Sequence, residues 1–139
     1  MVQFGYCIIY VPDVAQSLEF FEKSFGLKRR FLHEGGDYGE LDTGTTVLAM
    51  ASHDLGARNL PDGYQRADQA DRPLGFEVAL TDPDVAGMHQ SAIDHGAMEI
   101  SAPKQKPWGR WYPMCARPVG SCWSCVHRCR KRAPRGAFF

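Results

Sequence analysis

Glu40 is the carboxylate best placed to do chemistry. It lies in Tyr38-Gly39-Glu40-Leu41-Asp42, a short run with strand character. Successive side chains of a strand alternate between its faces, so Glu40 and Leu41 point to opposite sides. An inward Glu40 can act as a general base or accept a hydrogen bond from a ligand. An outward one is an ordinary glutamate on an edge strand. His33, near the end of the preceding strand, can donate into the same region, and His53 opens a long polar stretch from which it can swing over a ligand. Both also suit plain surface positions. His89 and His95 fall on or just after a later helix, with His95 placed as a C-terminal cap. Tyr6, Phe31, Tyr38, Met50 and Phe76 would line an apolar cleft if their alternation holds, although each singly also suits a core. Trp108 can stack on a planar ligand or pack in the interior. Glu77 faces away from its neighbours Phe76 and Val78, towards solvent or an interface. Cys115, Cys122, Cys125 and Cys129 surround His127 and include one Cys-x-x-Cys. Their remaining spacings do not form the pair of pairs a zinc site needs, so neither zinc nor redox chemistry is expected.

The elements that must hold these residues follow from periodicity. Phe4 to Val11 is an apolar, β-rich run ended by Pro12-Asp13. Asp13 can cap a helix whose stripe is Val14, Leu18, Phe21 and Phe25, widened by Phe20 and stopped at Gly26. Strands are predicted at Leu27–His33, Tyr38–Asp42 and Thr45–Ala51. Residues 52–73 are a long polar connection with room for a short helix, which favours a functional lid or a boundary. The plan then restarts: a strand over Leu74–Thr81, a cap in Asp82-Pro83-Asp84, a helix carrying Val85, Met88, Ala92 and Ile93, closure at His95-Gly96, and a strand over Ala97–Ser101. A repeated β-α-β-β-β unit is itself a structural argument, because one unit leaves a sheet face bare and two can bury it. The first module spans 1–51 and the connection 52–73. The second module spans 74–127, irregular after 109, and a basic tail expected to be disordered spans 128–139.

Several stretches, in this order and spacing, resemble the vicinal oxygen chelate superfamily of glyoxalases, bleomycin-resistance proteins and extradiol dioxygenases. They are Ile8-Ile9-Tyr10-Val11-Pro12-Asp13-Val14, Ser17-Leu18-Glu19-Phe20-Phe21, Phe25-Gly26-Leu27, Glu40-Leu41-Asp42-Thr43-Gly44, Gly75-Phe76-Glu77-Val78-Ala79 and Lys106-Pro107-Trp108-Gly109. The resemblance covers about residues 1–109. It implies an α+β fold in which paired β-α-β-β-β modules form a curved mixed sheet around a cleft. It also implies a homodimer and, in many members, a divalent metal. The metal positions it implies are Tyr6, Glu40 and Phe76. Tyr6 is a poor ligand for such an ion and Phe76 cannot be one, so Glu40 alone survives. No cofactor is therefore expected, with a divalent metal the lesser alternative. The functional expectation is a metal-independent small-molecule-binding protein that holds an apolar or aromatic ligand between modules or subunits. The alternative is a lyase, isomerase or dioxygenase-like enzyme with Glu40 as base or sole metal ligand. A degraded, inactive homologue is the third reading.

The end of the chain differs in kind. Residues 1–108 carry nine basic and sixteen acidic side chains, a net of −7, whereas 109–139 carry seven basic and none acidic. After Gly109 the family's usual closing strands are missing. Back-translated one base out of register, the tail from Arg110 can read VVSYVRSPGRVLLELCTPV, two β-runs around a Pro-Gly turn. The resemblance thus implies a frameshift, with a glutamate lost where Ser124 stands. The tail's prolines are poorly tolerated in central strands, so the second module is expected to be short of inner strands unless 110–114 and 121–127 still pair. Its charge and cysteines then carry no function, and no nucleic-acid partner is expected. No apolar run reaches the roughly 18 residues of a membrane span, and a single cysteine before residue 109 suits a cytoplasmic chain.

Overall fold

A computed structural model describes residues 1–107, 111–116 and 122–126, the last two as strand backbone only. Trp108 and the tail beyond 126 lie outside the described residues.

The first module contains β1 (Tyr6–Val11), α1 (Val14–Phe25), β2 (Lys28–Leu32), β3 (Tyr38–Asp42) and β4 (Val47–Ser52). Asp13 caps α1, its carboxylate accepting from the Gln16 backbone N–H at 2.9 Å. Gly26 ends the helix at φ 65°, in the left-handed region that a side chain would strain. The sheet order is β1-β4-β3-β2, with β1 parallel to β4 and the other pairs antiparallel. Helix α1 covers one face of this sheet. Ile9, Val11, Leu41, Leu48 and Met50 meet Val14, Leu18, Phe20 and Phe21 there in one buried cluster. Gly39 also belongs to this face: a Cβ on it would lie 2.6 Å from Leu18 Cδ1, so glycine lets helix and sheet approach closely.

The connection is more built than a loop. Ser52 caps α2 (His53–Asn59), and a 3₁₀ turn follows at Ala67–Gln69. The second module then repeats the plan with β5 (Val78–Thr81), α3 (Val85–Asp94), β6 (Met98–Gln105), β7 (Trp111–Ala116) and β8 (Cys122–Val126). Its order, β5-β8-β7-β6, mirrors the first sheet. Asp84 caps α3 through the Gly87 N–H at 2.9 Å, and Gly96 follows with φ 99°. His95 is the C-cap, its ring Nδ1 2.7 Å from the Ser91 carbonyl oxygen, as its position in the sequence suggests.

Two strand expectations are corrected. β5 starts at Val78 and not at Leu74, its pairing with β8 beginning at Val78↔Trp123. β6 runs beyond Ser101 to Gln105, against β7. That ladder shifts between Ser101↔Met114 and Lys104↔Tyr112, where Pro113 faces Ala102 and Pro103. Neither proline has an N–H to donate, so the break in register falls where the ladder has least to lose. The two modules meet through α1 and α3, and Val85, Ala92 and Ala97 join the core cluster of the first module. Among the described residues, no helix is long and apolar enough to cross a membrane.

Candidate functional site

With α1 on one side of the first sheet, its other face is open along Tyr6, Ile8 and Phe31, and the register places its residues in rows. Ile8, Ala49, Glu40 and Phe31 lie across one rung. Tyr10, Ala51 and Tyr38 lie across the next, and Tyr6 lies beside Val47 on the far side. The middle strand thus lays a floor of small residues, Ala49 and Ala51. Ile8 and Tyr10 rise on one side, Tyr38, Glu40 and Phe31 on the other. The walls stand two strand spacings apart, about 10 Å.

Glu40 is the polar centre of this trough and is only 7% exposed. A carboxylate taken out of water needs partners. The Tyr38 hydroxyl donates to its Oε1 at 3.0 Å, and an Arg30 guanidinium nitrogen lies 3.6 Å from its Oε2. Arg30 is shared with Asp42, at 3.8 Å, and its side chain is 43% exposed. Burial, then the hydrogen bond to Glu40, pushes the Tyr38 phenol up to about 12. The Phe31 and Tyr38 rings lie 5.9 Å apart, while Tyr6 and Phe31 remain largely open to solvent.

A bulge in β2 explains why Phe31 and Arg30 serve the same face. Arg29 lies opposite Leu41 and Phe31 opposite Glu40, with Arg30 as the extra residue between them. Arg29 turns to the helix side and pairs with Glu22 at 2.7 Å. The irregularity then delivers two consecutive side chains to the trough, which strict alternation does not allow.

The structure brings Tyr6, Phe31, Tyr38 and Glu40 together, as the alternation suggested. It does not bring the other candidates. Met50 is fully buried on the opposite face against α1, because the register pairs it with Gly39 and Ile9, both on the helix side. The expectation that it lines the cleft is corrected. His33 lies in the exposed β2–β3 turn, its Nδ1 2.9 Å from Asp37 Oδ1. Phe76 precedes β5, in the other module, and is 46% exposed. Trp108 lies outside the described residues.

His53 does not swing freely. Its Nδ1 is 2.6 Å from the Tyr64 hydroxyl. Its Nε2 is 2.8 Å from Asp68 Oδ1, but off the line a hydrogen bond would take. Arg66 grips the same Asp68 carboxylate at 2.8 and 3.2 Å and, through those hydrogen bonds, holds it below the usual carboxylate range. Tyr64 in turn packs its ring 5.0 Å from Tyr10. Residues 53–69 are therefore a strap folded over the Tyr10 end of the trough. Tyr10, Ile8, Ala49, Arg30 and Tyr64 also belong to this trough, and the sequence reading did not name them. The first two were visible as the alternate positions after Tyr6; Arg30 and Tyr64 depend on a bulge and a loop fold that no local pattern announces.

The family model for the Glyoxalase/Bleomycin resistance protein/Dioxygenase superfamily matches residues 3–123. The chain belongs to this superfamily. Among solved structures it is similar to a glyoxalase-related enzyme from Fulvimarina pelagi, with 17% identity, TM-score 0.80, and 92% of this chain and 89% of that one covered. It is also similar to a glyoxalase/bleomycin resistance protein/dioxygenase family enzyme from Burkholderia phytofirmans PsJN, with 17% identity, TM-score 0.75, and coverage of 91% and 98%. TioX from Micromonospora sp. ML1 aligns at 15% identity and TM-score 0.66, over 92% and 100%. At these identities the likeness concerns the fold. None of the curated proteins matches the sequence.

Many superfamily members hold a divalent metal in their cleft, and the residues of this trough do not suit one. Glu40 offers a single carboxylate, to which the Tyr38 hydroxyl already donates, whereas a bound divalent ion needs three or four protein ligands. The other implied positions supply a phenol at Tyr6 and no donor atom at Phe76. Among the described residues no group of three or more His, Cys, Asp or Glu is placed to share an ion.

Proposed function

We propose that this superfamily member is a small-molecule-binding protein of the glyoxalase/bleomycin-resistance type. It holds an apolar or aromatic ligand on the open face of its first sheet, without a metal. The observation that carries this reading is a nearly buried carboxylate on a face otherwise lined by Tyr6, Ile8, Tyr10, Phe31 and Tyr38. Apolar walls with few convergent polar groups are the usual composition of a ligand site. The competing enzymatic reading makes Glu40 a general base. It is less favoured because the hydroxyl beside Glu40, that of Tyr38, is pushed up to about 12 and keeps its proton near neutral pH, where an acid–base partner must give one up.

The same reading includes a homodimer. Within one chain the trough is open, and the crevice of about 640 Å³ between the modules lies elsewhere, among Phe4, Cys7, Phe25, Val78 and Met88. On the second sheet, β6 also presents exposed apolar side chains. Glu99 turns to His89 on α3, so Met98 and Ile100 point to the other side, where both are largely exposed. The open trough and the exposed Met98 and Ile100 suit closure by a second copy, which would convert the trough into an enclosed site.

The test has two parts. Light scattering on the eluting protein should give a dimer mass. Ring protons of Tyr6, Phe31 and Tyr38 should shift by NMR when small aromatic compounds are added, equally with and without a chelator. Loss of binding on chelation would overturn the metal-free reading, and conversion of a bound compound would favour the enzyme.

A further inference from the structure

We infer that the ligand of this trough is an organic cation: a compound with a flat apolar body and a protonated amine or amidine that replaces Arg30 at Glu40. The inference rests on reading the open face as the ligand site, and adds the charge of the ligand.

The argument starts from the electrostatics of Glu40. Its side chain is 9% exposed, deep for a carboxylate, yet the one cation near it is held poorly. Arg30 stands 3.6 Å away, divides itself with Asp42 at 3.8 Å, and keeps 43% of its side chain in water. A bidentate arginine–carboxylate pair closes to below 3 Å, as Arg29 does with Glu22 at 2.7 Å one residue away in the same strand. Arg30 is therefore a displaceable occupant. The Tyr38 hydroxyl satisfies Oε1 alone, which leaves Oε2 for a stronger donor.

The surroundings favour a cation over a neutral donor. Phe31 lies in the same rung as Glu40, and Tyr38 is close enough to stack against it at 5.9 Å. Tyr6 lies near enough to the Tyr38 hydroxyl to help raise its pKa. The faces of such rings attract cations, most strongly where water is excluded. Asp42 adds a second negative charge at the rim, beside Arg30. An anionic ligand would find Arg30 but would also meet Glu40 and Asp42. The expected displacement is a simple exchange: the ammonium of the ligand takes the place of the guanidinium, and Arg30 swings to Asp42 or to solvent.

Benzylammonium, benzyl alcohol and benzoate share a ring and differ in the charge of the headgroup. NMR titration of the full chain near neutral pH should rank benzylammonium at least tenfold tighter than either of the others, with the preference weakening as salt rises. Glu40→Gln should erase that preference, so that benzylammonium binds no tighter than benzyl alcohol. Arg30→Ala should tighten benzylammonium several-fold by removing its internal competitor. It serves as the decisive variant if Glu40→Gln fails to fold by circular dichroism. Benzoate binding tightest, or all three binding alike, would overturn the cationic ligand while leaving the trough as a binding site. No ring-proton shift with any probe would overturn the trough reading and the inference together.

Discussion

The two modules share their punctuation and differ in what they bury. Each has a strand, an aspartate cap bonded at 2.9 Å, a helix, a glycine with positive φ and three further strands in mirrored order. Yet among the described side chains, which end at residue 107, the largest fully buried ones, Phe21, Leu18, Leu41, Met50, Val11 and Val14, all belong to the first module. Helix α3 buries only Val85, His89 and Ala92. Caps and turns are thus enough to specify the topology twice, while the volume behind the sheet decides how firmly each copy is held. The candidate site lies on the module whose sheet is backed by large side chains. This suits a binding face, because residues on rigid elements keep their geometry.

The largest change to this contrast should come from the end of the chain. If residues from 110 onward are read one base out of frame, restoring the frame supplies β7 without Pro113 and β8 with a largely apolar run. Amide exchange in β5 and β6 of the restored protein should slow towards the values of β1 and β4. Unchanged exchange, or a nucleotide sequence with no lost base at codons 108–112, would remove the frameshift from consideration. Next come core truncations. Phe21→Ala should cost about 3–5 kcal/mol in chemical denaturation, as expected for a large buried aromatic. Val85→Ala, losing two methyl groups at the first turn of α3, should cost about 2 kcal/mol. Equal losses would show that the modules are backed alike after all.

A smaller effect probes the strap. A Cβ at Gly56 would stand 2.5 Å from the Tyr64 hydroxyl oxygen and 2.9 Å from Tyr10 Cδ1. Gly56→Ala should therefore destabilise by about 1–3 kcal/mol through overpacking and release Tyr64, visible as altered Tyr10 ring signals. A neutral substitution would mean that the strap is not seated on β1.

How much of this was legible in the sequence depends on the range of the signal. Asp13, Gly26, Asp84 and Gly96 act on their own backbone within a few residues, so the helices and the repeat could be read directly. Tyr6, Tyr38 and Glu40 followed from alternation along regular strands. Met50 failed because an apolar residue in an apolar strand, Val47-Leu48-Ala49-Met50-Ala51, gives no polar partner to tell its two faces apart. Register decided it, through Gly39 and Leu18, and register is a property of pairs of strands. Arg30 failed for a related reason: the bulge that turns it inward arises where β2 meets β3, and nothing in Lys28-Arg29-Arg30-Phe31 marks it. His53 was assigned to a loose loop because its partners lie 11 and 15 residues further on, at Tyr64 and Asp68.

The smallest effect concerns pH and tests whether Tyr38 is buried against Glu40 as described. Its phenol moves from an ordinary 10.0 to about 12 in the folded chain, first because it is taken out of water and then because it donates to Glu40. The folded value is raised, so the contribution of Tyr38 to stability is complete below about pH 10. It falls as pH climbs, since the unfolded chain then loses that proton first, and it is gone once the folded group itself ionises near 12. Other tyrosines titrate in the same range, Tyr64 among them with its own raised pKa, so the informative quantity is a difference. Tyr38→Phe should decline less steeply than the parent chain between about pH 9 and about pH 11 in urea denaturation. Parallel slopes would place the Tyr38 hydroxyl in water. Glu40 would then have Arg30 as its remaining neighbour, and the first module's open face would be no better organised than the exposed side of β6.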